Sequence, residues 1–79
     1  MNKLRLFYRE GCHLCEVMLD DLHPYLQSDD VALERVDIDE HPEWLALYNT
    51  MVPVLHVNDE PLCKFHLNTE RLLQALVSP

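Results

Sequence analysis

Two cysteines separated by two residues are the side chains in this 79-residue sequence that are best suited to chemistry. They are Cys12 and Cys15, in the segment Gly-Cys-His-Leu-Cys. Thiolates attack disulfide sulfurs and also bind soft metal ions, so this spacing indicates either thiol–disulfide exchange or metal binding. A third interpretation is a pair of inert thiols that lie in the core as small apolar side chains.

The cysteine pair stands where a predicted strand gives way to a predicted helix. Residues 4–8 are β-prone and largely apolar, and Gly11 ends this segment. A helix is predicted over about residues 12–26, with apolar side chains every three or four residues on one face. These side chains are Leu14, Val17, Met18, Leu22, Tyr25 and Leu26. Pro24 is expected to bend or end the last turn, because proline removes a backbone hydrogen bond.

The start of a helix favours a reactive thiolate. Unpaired N–H groups and the positive end of the helix dipole stabilise an anion there, and thiol pKa values at such positions fall from about 8.5 to roughly 3.5–7.5. Cys12 is therefore predicted to be the nucleophile. Cys15 lies about one turn further along the helix, so we expect it to be more buried and to act as the resolving thiol.

Charged neighbours act on Cys12 in opposite directions. Arg9, and His13 when it is protonated, would stabilise the thiolate. Glu10 and Glu16 would destabilise it. The sequence leaves this balance open, and it makes Arg9 and His13 the candidate tuning residues.

The composition describes one small acidic domain. Fourteen Asp and Glu against six Lys and Arg give a net charge of −8, which repels phosphate backbones, so nucleic-acid binding is not expected. No apolar run approaches the roughly 20 residues that span a bilayer, and the first eight residues are too short for the apolar core of a signal peptide. We therefore expect a single domain over residues 1–79, located in the cytoplasm and without membrane contact.

Residues 31–49 predict a strand followed by a short helix. Apolar and polar side chains alternate over residues 31–38, as in a strand. Pro42 suits the first turn of a helix, and Asp39 or His41 could cap it. The apolar stripe of this helix is Trp44, Leu45, Leu47 and Tyr48.

The last third of the chain predicts a hairpin and a final helix. Residues 52–57 and 61–66 resemble strands, and the polar residues 58–60 between them suit a tight turn. Asn68 is expected to cap a helix that extends to Ser78. The predicted buried stripe of this helix is Leu72, Leu73, Leu76 and Val77.

The order of the predicted elements is strand, helix, strand, helix, strand, strand, helix. The first two strands are separated by a helix and should be parallel with a right-handed crossover, while the hairpin adds an antiparallel pair. The sequence therefore predicts an α/β fold with a four-stranded mixed sheet and helices on both faces.

Two motifs and this order carry a resemblance to a known family. A Cys-x-x-Cys motif follows the first strand, and the dipeptide Val52-Pro53 opens the third. With the β-α-β-α-β-β-α order, the whole chain resembles the thioredoxin fold in its short, glutaredoxin-like form. It is most similar to small glutaredoxin-like proteins with a Gly-Cys-His-Leu-Cys type of motif.

The resemblance implies roles for individual residues. It makes Cys12 the attacking thiol and Cys15 its partner. It also makes Pro53 a cis proline beside them, with the backbone of Val52 pairing with a substrate peptide or with glutathione. Leu14, between the two cysteines, is expected to contact the substrate.

The sequence also departs from both branches of the superfamily. Glutaredoxins usually have a tyrosine and a proline between the cysteines and a Gly-Gly pair after the hairpin, whereas this chain has His13-Leu14 and no glycine after Gly11. Thioredoxins usually have a buried acid on the strand that leads to the site, where this chain is apolar. We expect no built-in cofactor, and glutathione stays an open candidate ligand.

The predicted function is a thiol–disulfide oxidoreductase that acts as a monomer on protein or small disulfides. An external system, either glutathione or one of the thioredoxin-reductase type, would restore the dithiol. The alternatives are a carrier of Cu(I) or Zn(II), an iron–sulfur-bridged dimer and a non-catalytic interaction module. Small metallochaperones have a β-α-β-β-α-β order, which would require two strands between residues 38 and 49. Only two thiolates are local, so a closed zinc site would need to recruit Cys63 or a histidine, and no metal ligand is assigned.

The remaining cysteine, histidines and aromatic residues have simpler interpretations. Cys63 is expected to pack beside Phe65 on one face of a strand, and Tyr8 and Trp44 are expected in or around the core. The four histidines outside the Cys-x-x-Cys motif share no spacing and are predicted to be surface or capping residues. They are His23, His41, His56 and His66.

Overall fold

Four strands and three α-helices follow one another in the predicted order within residues 1–77. The computed structural model describes residues 1–77. Its elements are β1 (Asn2–Tyr8), α1 (His13–Leu22), β2 (Val31–Asp37), α2 (Pro42–Tyr48), β3 (Val54–Val57), β4 (Glu60–Lys64) and α3 (Thr69–Val77). Short 3-10 helices follow α1 (His23–Gln27) and β2 (Ile38–Glu40). The predicted end of the last helix at Ser78, and the side chain of Val77, lie outside the described part.

The strands form one mixed sheet in the order β2-β1-β3-β4. β1 and β2 pair in parallel, since α1 carries the chain from the end of one to the start of the other. β3 is antiparallel to β1 and to β4. The predicted four-stranded mixed sheet is therefore confirmed.

Alternation along β1 divides the core into two clusters, one on each face of the sheet. Leu4 and Leu6 face α1 and α3, where Met18, Leu22 and Leu72 are buried against them. The other face of the sheet packs against α2 and the adjoining segments. Its cluster consists of Phe7, Ile38 and Val54, with Val36, Trp44, Leu45, Tyr48 and Val52 partly buried around them. Helices therefore cover both faces, as predicted.

Several helical residues differ from the prediction. α1 ends at Leu22, and the chain continues to Gln27 as a 3-10 helix because Pro24 cannot donate the next α-helical hydrogen bond. Leu73 was predicted to be buried, but it is 48% exposed. It lies about 100° around the helix from the buried Leu72, and the sheet covers only one side of α3. Two other residues predicted for apolar stripes are also exposed, namely Val17 at 36% and Leu47 at 60%.

The hairpin is built on a turn that needs a left-handed backbone. Asn58 and Asp59 both have positive φ, 52° and 70°, which is the requirement of a two-residue type I′ turn. Its strands are shorter than predicted, because β3 starts at Val54 and β4 ends at Lys64. Within residues 1–77, every helix is too short to cross a membrane.

Candidate functional site

Cys12 occupies the N-cap position of α1. Its backbone is extended, with φ −88° and ψ 107°, and its Sγ accepts a hydrogen bond from the N–H of Cys15 at 3.1 Å. The carbonyl of Cys12 accepts from Glu16 N–H at 3.2 Å. A free N–H of the first helical turn is thus aimed at the sulfur, as in a Ser or Asp cap.

The two cysteines are joined as a disulfide, and they differ in burial. Their Cα atoms are 5.2 Å apart. Cys12 is half-buried, whereas Cys15 is only 4% exposed, since it lies on the inner face of α1. Cys12 is therefore the more exposed of the two cysteines.

Gly11 forms the turn that places Cys12 at the N-terminus of α1. Its φ is +76°, a conformation that residues with a Cβ adopt at a cost. No atom lies within 4 Å of the place where a Cβ would stand, so the requirement comes from the backbone and not from crowding.

A cavity of about 250 Å³ borders both cysteines. Arg35 of β2 lines it, and sequence reasoning had not assigned this residue to the site. Arg35 pairs with Leu6 in the sheet, so it lies on the α1 side near the end of β2. The two-residue alternation of β2, together with parallel pairing to β1, is the signal that could have indicated it. Glu10 and Glu16 also line the cavity, so acidic and basic side chains both border it.

The side chain of Arg9 is turned towards α2 and its flanking segments. Its guanidinium group contacts the carboxylate of Asp39 at 2.9 and 3.2 Å. It also donates to the carbonyl and to Oδ1 of Asn49, at 3.1 and 2.7 Å. Arg9 thus lines the cavity, but its charge is already paired with a carboxylate.

Val52 and Pro53 stand at the start of β3, next to the end of β1. The peptide bond between them is cis. Val54 pairs with Phe7 in the antiparallel ladder, so Pro53 lies near Tyr8 and the turn that leads to Cys12. The side chain of Val52 packs against the cluster under α2.

Phe65 is a further residue of this region that sequence reasoning did not identify. Its N–H donates to the carbonyl of Pro53 at 2.8 Å, and its φ is 68°, in the region that favours glycine. It directly follows the hairpin, the part of the chain in which the resemblance implies a Gly-Gly pair. Hydrophobic patterning carries no signal for a bulky residue with positive φ.

His13 and Leu14 both lie in the first turn of α1. His13 is exposed, and Leu14 is half-buried. Cys63 is also half-buried and packs against the cluster that α1 and α3 cover. It borders a separate groove of about 500 Å³, which none of the residues predicted for the site lines. Among residues 1–77, no three His, Cys, Asp or Glu side chains are grouped so that they could hold a metal ion.

The prediction that His56 lies at the surface or caps a helix is wrong. His56 is 6% exposed, and its Nε2 lies 3.0 Å from the hydroxyl of Tyr48. Phe7 and Trp44 enclose the ring at centroid distances of 4.6 and 6.2 Å. Burial, and secondarily Arg5, lower the pKa of His56 below its usual value. The neutral ring therefore belongs to the core under α2.

Comparison with known proteins agrees with this geometry. The family model described as Glutaredoxin-like domain (DUF836) matches residues 3–77. The solution structure of protein Ne2328 from Nitrosomonas europaea is 37% identical, with a TM-score of 0.80, and the match covers 98% of this chain and 92% of that one. Thioredoxin 1 from Thermosipho africanus is 20% identical, with a TM-score of 0.62, over 94% of this chain and 89% of that one. At 20% identity, the match to thioredoxin 1 shows that the two chains share the thioredoxin fold and nothing more.

Proposed function

The chain belongs to the glutaredoxin-like domain family, and on that basis we propose that it is a thiol–disulfide oxidoreductase. The observation that carries the proposal is the unequal placement of the two sulfurs. Cys12 is accessible at the N-cap of α1 and accepts an N–H, while Cys15 is buried one turn further on. The hydrogen bond from Cys15 N–H would stabilise a Cys12 thiolate in the reduced protein.

The reaction proceeds by two exchanges. The Cys12 thiolate attacks one sulfur of a substrate disulfide; the substrate S–S bond breaks, a mixed disulfide forms, and the departing thiolate takes a proton. Cys15, as a thiolate, then attacks the Cys12 sulfur and releases the second substrate thiol, which is also protonated. The substrate gains two electrons and two protons, and the protein is left with the Cys12–Cys15 disulfide. Two equivalents of glutathione, or an external system of the thioredoxin-reductase type, would reduce this disulfide and return the pair to the dithiol form.

A peptide disulfide is the substrate class that the surroundings favour. Val52 and Pro53 would offer backbone to an extended peptide, and Leu14 would contact its side chains. Phe65, with its bulky side chain, follows the hairpin in the region where glutaredoxins use Gly-Gly to admit glutathione. We therefore favour protein disulfides over glutathione as the substrate. Glutathione would serve as a reductant and not as a resident cofactor.

The metal-carrier alternative receives less support. The β-α-β-β-α-β order of that class requires two strands between residues 38 and 49, where this chain has the helix α2.

Single-cysteine variants test the proposal. Cys15→Ser should capture a peptide disulfide as a stable mixed disulfide on Cys12, seen as a mass increase in an intact mass spectrum. Cys12→Ser should neither capture the peptide nor reduce it. Cys63→Ser is the matched control, because Cys63 is half-buried and lines a different groove from the cavity beside the pair, and it should turn over like the parent. Reduction by Cys12→Ser at the parental rate would overturn the assignment.

A further inference from the structure

The guanidinium group of Arg9 contacts two residues that are far from Arg9 in the sequence. It makes paired contacts with the carboxylate of Asp39, thirty residues away, and donates twice to Asn49, forty residues away. Asp39 belongs to the 3-10 turn between β2 and α2, and Asn49 is the C-cap residue of α2. One side chain therefore contacts the segments that flank α2 on both sides, from a position just after the end of β1.

The same residue is also connected to the redox pair through its backbone. The N–H of Cys12 donates to the carbonyl of Arg9 at 3.3 Å, and Gly11 turns the chain between them. On the other side, Asn49 is followed after three residues by Pro53, and the N–H of Met51 donates to the carbonyl of Tyr48 at 3.0 Å. Arg9 thus contacts Cys12 through its backbone carbonyl and the segment 49–53 through its guanidinium group.

Charge is a weak explanation for this arrangement. The carboxylate of Asp39 lies within 2.9 Å of the guanidinium and offsets its charge, so the pair exerts little net field on Cys12. What the arrangement needs is a planar group with several donors in fixed directions. Lysine carries the same charge but could not contact Asp39 and both Asn49 acceptors in this geometry.

We propose that Arg9 is a positioning residue, which holds the segment 49–53 at a fixed position relative to Cys12 so that the Val52 backbone can bind a peptide disulfide. This inference rests on the proposed function for its consequence, but the positioning itself is a property of the fold. It differs from the expectation that Arg9 tunes the Cys12 thiolate, and the two roles predict different experimental outcomes.

Arg9→Lys separates positioning from charge. If Arg9 positions the segment, the ratio of kcat/KM for a peptide disulfide to kcat/KM for hydroxyethyl disulfide, which has no peptide backbone, should fall about ten-fold, mainly through KM. Arg71→Lys is the matched control, since Arg71 is exposed on α3, and its ratio should equal that of the parent. A parental ratio in Arg9→Lys would overturn the proposal.

The double variant Arg9→Gln/Asp39→Asn tests the electrostatic alternative, because it removes the guanidinium group and its paired carboxylate together. The titration midpoint of the Cys12 thiolate, followed by its ultraviolet absorbance in the reduced protein, should match that of the parent. A clear upward shift in this double variant, with an unchanged substrate ratio in Arg9→Lys, would show that Arg9 acts through its charge instead. Asn49→Ala, which removes one acceptor and leaves the charges intact, should lower the substrate ratio in the same direction as Arg9→Lys but less.

Hydrogen exchange provides a measure that does not depend on activity. In Arg9→Lys the amide of Met51 should exchange about ten-fold faster than in the parent, because the segment that carries it is no longer held. The amide of Leu55 in β3 should change less, and Arg71→Lys should alter neither. Unchanged exchange at Met51 would overturn the positioning role even if the protein reduced disulfides, whereas faster exchange in a protein without reductase activity would overturn only the proposed function.

Discussion

The hydroxyl of Tyr48 lies 3.0 Å from Nε2 of His56, and this contact joins α2 to β3 inside the aromatic cluster. Phe7 lies against both rings, with centroids 5.2 Å from Tyr48 and 4.6 Å from His56. A polar pair is thus satisfied within an apolar environment, which is the condition for burying it without loss of stability. The same burial makes His56 a source of pH dependence.

Stability should decrease as the pH falls below the ordinary histidine value of 6.5. Burial, followed by Arg5, lowers the pKa of His56 in the folded protein, while Asp59 opposes them. As the pH falls, the unfolded chain therefore binds a proton at this histidine before the folded chain does. The contribution of the neutral His56 to the free energy of unfolding is complete above pH 6.5 and is lost as the pH falls through the lowered pKa. Thermal unfolding followed by circular dichroism across this range measures the effect. His56→Gln, which can keep the contact with Tyr48, should flatten the dependence, whereas the exposed control His66→Gln should leave it in place.

A second acid dependence is expected from Glu34. The hydrogen bond from Arg5 Nε, with help from the charges of Arg5 and Lys3, holds the pKa of Glu34 below its ordinary value of 4.5. The contribution of this carboxylate to the free energy of unfolding is complete above pH 4.5 and disappears as the pH falls through the lowered pKa. Unfolding midpoints measured in acid should therefore depend less on pH in Glu34→Gln than in the parent. The idea fails if the exposed control Glu70→Gln has the same effect.

Adjacent leucines of α3 should respond very differently to truncation. Leu72 is fully buried and Leu73 is 48% exposed, so only the first would leave a cavity. We expect Leu72→Ala to lower the free energy of unfolding by about 2–5 kcal/mol and Leu73→Ala by about 0.5 kcal/mol or less. Urea denaturation of the two variants provides the comparison, and equal losses would contradict the observed orientation of α3.

Gly11 should tolerate substitution poorly in spite of the open space around it. Any residue with a Cβ is strained at φ +76°, so Gly11→Ala should lower the free energy of unfolding by about 1–2 kcal/mol. Gly11→Asn should lose less, because asparagine enters this region more readily. Chemical denaturation of both variants tests the order, and a larger loss for asparagine would indicate a steric cause in place of a backbone one.

The sequence by itself determined the order of the elements and the place of the cysteine pair. Strand and helix periods are local properties, since the faces of a strand or a helix are decided by residues two to four positions apart. Gly11 and the apolar repeat after it were enough to put Cys12 at the start of α1 and Cys15 one turn inside. The same local patterns predicted a tight hairpin turn within residues 58–60.

Only the tertiary structure decided which distant residues meet. Arg9 reaches Asn49, Arg35 borders the cavity beside the cysteines, and His56 is buried under α2, because the parallel crossover and the sheet order bring these segments together. A pattern can assign a residue to a face but cannot say which side chains cover that face. Contacts between residues thirty or forty positions apart depend on the packing of α2 against β1 and β3, and that packing is decided by the whole sheet and not by any one segment.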